Sequence, residues 1–193
     1  SPLPPVRSGI SDYAAELLPA LAERHDVTPY APADAARAFA ARPDAVLVQL
    51  GNDPLHAPSV EALEANGRKV PAVVVLHDFA LHHLFAAAYL DRGRERDYVH
   101  ALTRAHGEWG RRLAEQNVAG PKNPVWDLDP WSYPVSAGVV DDATALIVHS
   151  RLVRGAVLRE RPSSRVVEVP HHVVPAPRTP RDVARRALGI PLD

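Results

Sequence analysis

The run Val73-Val-Val-Leu76, bounded by Pro71 and Asp78, limits the fold of this chain more than any other stretch. It holds four consecutive apolar residues, three of them β-branched, with no polar alternation. A strand with one wet face alternates apolar and polar side chains. An unbroken run therefore implies burial on both faces, as in a parallel sheet covered by helices. Ala145-Leu-Ile-Val148 repeats the pattern, and Asp44-Ala-Val-Leu-Val-Gln-Leu50 comes close to it. Residues 165–169 read as a last strand and residues 27–30 as a short early one.

Helical stretches separate these runs. They are expected at residues 9–25, 33–41, 60–66 (closed by Gly67 as a C-cap), 79–89, 94–116, 136–142, 152–160 and 181–188, with Ser150 capping the helix that follows it. Strands and helices alternate without a break, the pattern of a doubly wound α/β sheet. The expected fold is a Rossmann-like three-layer α/β domain with a mostly parallel sheet. A chain of 193 residues supports one good core. That domain is assigned to residues 1–174. Residues 175–193, opening with Pro175, Pro177 and Pro180, read as a linker and the start of a further domain. Residues 120–134, with four Pro and the two residues Trp126 and Trp131, read as an irregular loop, long enough to be functional.

Composition removes several classes of function. A formal net charge of -1 leaves no electrostatic footprint for nucleic acid at the level of the chain. There is no Cys, hence no disulfide and no thiol chemistry. No apolar run is long enough to span a bilayer. No Gly-x-Gly-x-x-Gly follows a strand and no P-loop occurs, so the common dinucleotide and nucleoside-triphosphate fingerprints are missing.

In open parallel sheets, ligands bind beyond the carboxyl ends of the strands. The residues expected there are Ser8-Gly9, Gly51-Asn52-Asp53 with His56, His77-Asp78 with His82-His83, His149-Ser150 and His171-His172. Seven of the ten histidines fall at or just after such an end, which makes one shared cleft the simplest reading. The segment Ser1–Tyr13 reads as a strand end, a Pro/Gly turn and a helix start. It is expected to follow a first strand that lies before Ser1. A helix start of this kind presents backbone N–H groups and the positive end of a dipole, and Gly9 allows a close approach to them. His77, ending the most apolar strand, is the first candidate for chemistry. Asn52 and Asp53 serve equally well as helix caps, and Ser150 is better read as a cap than as a nucleophile. His77 with His82 and His83 also suggests a metal site, although the spacing matches no strong metal motif.

The N-terminal stretch Pro4-Pro-Val-Arg-Ser-Gly-Ile-Ser-Asp-Tyr13 resembles the opening signature of bacterial family-4 (group 1) glycosyltransferases, retaining enzymes built from two Rossmann domains in the GT-B arrangement. Gln49-Leu-Gly-Asn-Asp-Pro-Leu-His56, Val74-Val-Leu-His-Asp-Phe-Ala-Leu-His-His83, Ile147-Val-His-Ser-Arg-Leu-Val-Arg154, Val167-Glu-Val-Pro-His-His172 and Leu188-Gly-Ile-Pro191 resemble later landmarks, in order and at similar spacing. The resemblance implies transfer of a hexose from a nucleotide-sugar donor to a carbohydrate or lipid-linked acceptor, with retention at the anomeric carbon. It implies that Gly9 and Ser8 lie beside the donor diphosphate and the acceptor, and that His77 contacts the transferred sugar. Asn52, Asp53, His56, Asp78, Trp126 and Trp131 would bind acceptor; His149, His171 and His172 would lie on the hinge side. It further implies no metal or other cofactor, a cytoplasmic location, and the inner membrane face where the acceptor is lipid-linked. The partner lobe would be the enzyme's own C-terminal domain, which carries most of the donor site. Residues 1–193 alone are therefore expected to be inactive. Two rival readings remain: a non-catalytic Rossmann-like lobe that binds a ligand or partner, and a metal-dependent hydrolase using His77, His82 and His83.

Overall fold

A computed structural model describes residues 1–120, 124–173 and 178–191. Thirteen helices and strands follow in order: α1 Gly9–Ala22, α2 Ala35–Ala40, β1 Val46–Leu50, α3 Ala57–Asn66, β2 Ala72–Leu76, α4 His82–Tyr89, α5 Glu95–Val118, α6 Val125–Leu128, α7 Ala137–Asp142, β3 Ala145–Val148, α8 Arg151–Glu160, β4 Val166–Glu168 and α9 Arg181–Ala187. The expected linker positions Pro175 and Pro177 lie outside the described residues.

The four strands form one parallel sheet in the order β1-β2-β3-β4. This is the expected three-layer α/β domain. β2 is the most deeply buried strand, with Val74, Val75 and Leu76 at most 1% exposed, so both of its faces are covered. In β3, Leu146 and Val148 are equally buried, while Ala145 and Ile147 on the other face are half-covered. The outer strands are wetter, as Leu47 in β1 and Val167 in β4 are exposed. Leu63 of α3, Leu84 of α4 and Leu102 of α5 pack into the same core as Leu50, Leu76 and Leu146.

Residues 27–30 are not a strand. Their sequence, Val-Thr-Pro-Tyr, includes Pro29, which has no N–H to give to a ladder. Among the described residues no strand lies beyond β1 for them to join. Their anchor is a bond from the Ser1 amine to the Tyr30 carbonyl, 3.0 Å. The reversal of strand order expected of a doubly wound sheet needs a strand on that far side of β1, and the four described strands run in one direction without it.

The expected long helix at residues 94–116 is present but broken. Gly107, with φ 63° and ψ -147°, interrupts α5. The two pieces meet closely there: a Cβ on Gly110 would lie 2.2 Å from the Leu102 carbonyl oxygen. The first helix ends at Ala22, three residues before the expected end. The helix expected from residue 79 starts only at His82, with a consequence described below.

Candidate functional site

Strand register creates the site. Leu50 pairs with Leu76, and Leu76 pairs with Val148. Pairing continues one step further: His77 N–H donates to the Leu50 carbonyl, and Val169 N–H donates to that of Val148, both at 2.9 Å. The residues that follow β2 and β3, His77 and His149, therefore stand side by side at the carboxyl edge of the sheet. Paired residues of neighbouring strands point to the same face, and the two imidazole centroids are 5.0 Å apart. The segment leaving β4 adds His171, 4.6 Å from His149 and 6.0 Å from His77. Tyr13 of α1 covers the group, edge-on to His77 at 4.9 Å and 4.8 Å from His171. His172 lies 4.4 Å from the Tyr13 ring, and its Nε2 meets the Glu16 carboxylate at 2.9 Å, tying this segment to α1.

Each inner imidazole has one nitrogen committed. His77 Nε2–H donates to Gln49 Oε1 at 2.7 Å, and Gln49 is buried. An amide oxygen only accepts, so the proton is on Nε2 and the Nδ1 lone pair of His77 is free. His149 Nδ1–H donates to the Val169 carbonyl at 2.8 Å. Its Nε2 is buried and has no hydrogen-bond partner among the described residues. Burial lowers the His77 pKa to about 3, and the neighbouring His149, His171 and His56 reinforce the shift because added positive charges would repel. Burial also lowers the pKa of His149, against the opposing pull of the Val169 carbonyl. These two imidazoles are neutral at pH 7, able to accept a hydrogen bond or hold a cation.

The loop after β1 sits beside this group. A Cβ on Gly51 would lie 2.5 Å from Ile10 Cδ1 and 3.1 Å from Asp78 Oδ2, so any larger residue there must turn the end of the Ile10 side chain aside, and α1 packs its first turn closely against this loop. Asn52 N–H donates to Asp78 Oδ2 at 2.8 Å, and Asn52 Oδ1 accepts from Leu84 N–H at 3.0 Å. Both side chains brace the loops that carry them, and Asn52 also satisfies an N–H in the first turn of α4. Asp53 accepts from Leu55 N–H at 2.8 Å and caps the 3-10 turn Pro54–His56. His56 is buried, which pushes its pKa down. Ser8 accepts from Ser11 N–H at 3.1 Å as the N-cap of α1. Gly9 follows at the exposed helix start, with open space where a Cβ would be. Ser150 caps α8, as expected.

The His77, His82 and His83 group is not assembled. Leu81 N–H donates to the Pro134 carbonyl at 2.7 Å, which holds residues 79–81 out of the helix and starts α4 at His82. The His82 side chain then lies in the core. Its Nδ1–H donates to the Tyr133 carbonyl at 2.9 Å, and Nε2 accepts from the Tyr98 hydroxyl at 2.7 Å. The Tyr98 oxygen in turn accepts from Asn117 Nδ2 at 2.9 Å. Both nitrogens of His82 are occupied, leaving no lone pair for a metal, while His83 is exposed. Trp126 is likewise turned inward, half-buried against His82 and Tyr98. Trp131 is 52% exposed and lies on Phe79, one residue past Asp78.

A concavity of about 400 Å³ lies between α3, α4, α5 and α7, lined in part by His100 and apart from the group of His77, His149 and His171. Its cations are neutralised: Arg94 pairs with Glu61 and Asp97, and Arg104 with Asp142 and Glu64. The sequence reading missed Tyr13, Gln49 and Glu16 as members of the histidine group. The polar Gln49 inside an apolar strand was the signal available for one of them. No protein-family model matches this sequence, and no curated protein or solved structure matches it.

Proposed function

We propose that this chain forms the N-terminal, acceptor-side lobe of a retaining sugar transferase that uses a nucleotide-sugar donor. The observation that carries this reading is convergence. Ile10 and Tyr13, Gly51-Asn52, His77-Asp78, His149 and His171-His172 are far apart in sequence and belong to five of the stretches that resemble such enzymes. All five gather at the carboxyl edge of one parallel sheet, where open α/β sheets bind ligands.

The chemistry of His77 agrees with the role. With Nε2–H held by Gln49, its Nδ1 accepts a hydrogen bond without adding charge, which suits a sugar hydroxyl. The acceptor hydroxyl must be held near the anomeric carbon, a matter of position that a rigid strand end supplies. Departure of the nucleoside diphosphate needs charge neutralisation. The start of α1 at Gly9 offers part of it, and a C-terminal lobe would supply the rest. Closure of the two lobes would exclude water. Exposed Trp131 is placed to stack on an acceptor sugar ring, a role that half-buried Trp126 does not share. Among the described residues no helix is long and apolar enough to cross a membrane, so a lipid-linked acceptor would be met at the bilayer surface.

The test is transfer by the complete encoded protein, assayed against a panel of nucleotide sugars. His77→Ala is expected to lower kcat/KM per folded molecule roughly ten- to a thousandfold, about 1.4–4 kcal/mol of transition-state stabilisation, and to cost about 1–3 kcal/mol of stability because buried Gln49 loses its partner. Unchanged specific activity per folded molecule removes His77 from the reaction. Absence of transfer with every donor overturns the assignment.

A further inference from the structure

We propose that the imidazoles of His77, His149 and His171 form a binding site for a divalent transition-metal cation of the zinc type. One ring nitrogen from each lies within 4.8 Å of the other two. Around a tetrahedral zinc ion with Zn–N bonds of about 2.05 Å, neighbouring nitrogens stand about 3.3 Å apart. The group must therefore tighten by about 1.5 Å at its widest. His171 supplies that by turning its side chain: it is exposed on the segment after β4, whose backbone the His172–Glu16 contact ties to α1, whereas His77 and His149 are fixed by strand register.

Two features beyond proximity point to a cation. The first is orientation by outer partners. A metal-binding histidine usually gives its other ring N–H to a carbonyl or carboxylate, which fixes the tautomer and aims the lone pair. His77 does this with Gln49 Oε1 and His149 with the Val169 carbonyl, so each keeps one bare nitrogen. The second is an unpartnered nitrogen in the right place. His149 Nε2 is buried without a partner among the described residues, as are His56 Nδ1 and His106 Nε2, but of these three rings only His149 stands against both His77 and His171. A hydrogen bond from another ring does not serve His77 Nδ1 and His149 Nε2 together, because both are acceptors. One cation satisfies both and takes His171 as its third ligand.

The donor set selects the metal. Three imidazoles with no carboxylate suit zinc, copper, nickel or cobalt and are poor ligands for magnesium or calcium. Three protein ligands leave a fourth position for water or a substrate oxygen, as catalytic rather than structural zinc sites do. The site stands on geometry alone and holds whether or not the chain belongs to a sugar transferase. An ion and the sugar hydroxyl of the proposed transferase are alternatives for the same His77 lone pair, so stoichiometric metal uptake and metal-free transfer by the complete protein separate the two readings.

The 193-residue chain, stripped with a chelator, is titrated with Zn2+ by calorimetry and with Co2+ by visible absorption. The expected result is one cation per chain at micromolar Kd or tighter, with the intense visible bands of low-coordinate cobalt. Millimolar Mg2+ does not compete. His171→Ala, which removes an exposed ring from Tyr13 and His149, weakens binding roughly tenfold or more at unchanged far-UV circular dichroism, and His149→Ala does the same. His83→Ala and His100→Ala, both on exposed surfaces, change nothing. Absence of stoichiometric uptake overturns the site. Equal affinity in wild type and His171→Ala also overturns it, since the ion would then be bound elsewhere.

Discussion

Acid should unfold this protein early, and His82 should be a measurable cause. The ring is fully buried, with its Nδ1 proton given to the Tyr133 carbonyl and its Nε2 lone pair filled by the Tyr98 hydroxyl. A second proton on Nε2 would face that hydroxyl, and the Tyr98 oxygen is already engaged by Asn117. Burial accordingly lowers the His82 pKa from 6.5 to about 4, partly offset by the Tyr133 carbonyl and aided by the nearby His106. The unfolded chain binds the proton first. Stability is thus complete above pH 6.5 and falls as pH drops from 6.5 toward 4. At pH 5 the loss from this one group is about 2 kcal/mol. At a urea m-value of about 2 kcal/mol/M, that moves the midpoint by about 1 M. His77 titrates in the same direction, from 6.5 toward about 3, and adds to the slope. His82→Gln keeps a donor and an acceptor but does not titrate. It should cost about 1–3 kcal/mol at pH 8 through imperfect hydrogen bonds. It should also make the fall in midpoint between pH 6.5 and 4 shallower by the His82 share, with His77, His56, His106 and His149, all lowered by burial, left as contributors. Urea unfolding of both proteins across this range is the assay. A slope unchanged by the substitution, or an NMR titration of the His82 ring near pH 6.5, would refute the reasoning.

Two further outcomes follow from contacts at the sheet edge and the loop beside it. Gly51→Ala places a methyl against Ile10 Cδ1 and Asp78 Oδ2. It should lower stability by about 1 kcal/mol, at the low end for overpacking because only side-chain ends must turn aside, read as a urea midpoint; a loss of about 3 kcal/mol or more means that Ile10 cannot yield. Trp126→Ala, which removes a ring packed against His82 and Tyr98, should cost about 2–3 kcal/mol. Trp131→Ala should cost about 0.5 kcal/mol or less while weakening acceptor binding by the complete protein. The reverse order of stability losses would exchange the roles of the two rings.

The order of elements and the parallel sheet were legible in the sequence, because they follow from local pattern. Val73–Leu76 and Ala145–Val148 have no polar face to offer water, so they had to become inner strands. Gly67 and Ser150 end and start helices through chemistry confined to a few neighbours. Strand ends could be located from such signals, and with them His77, His149 and His171 as residues at one edge of the sheet. The sequence did not say which histidines would meet. His77 touches His149 because Leu76 pairs with Val148, a register set by packing across 72 residues. His82, adjacent to the same loop, is turned away because Pro134 and Asn52, both distant in sequence, set where α4 begins. Its partners Tyr98 and Tyr133 lie 16 and 51 residues away, beyond the reach of any local pattern. Val27–Tyr30 failed as a strand for the same reason: extended propensity is local, but a ladder needs a neighbour, and only the tertiary arrangement decides whether one is there.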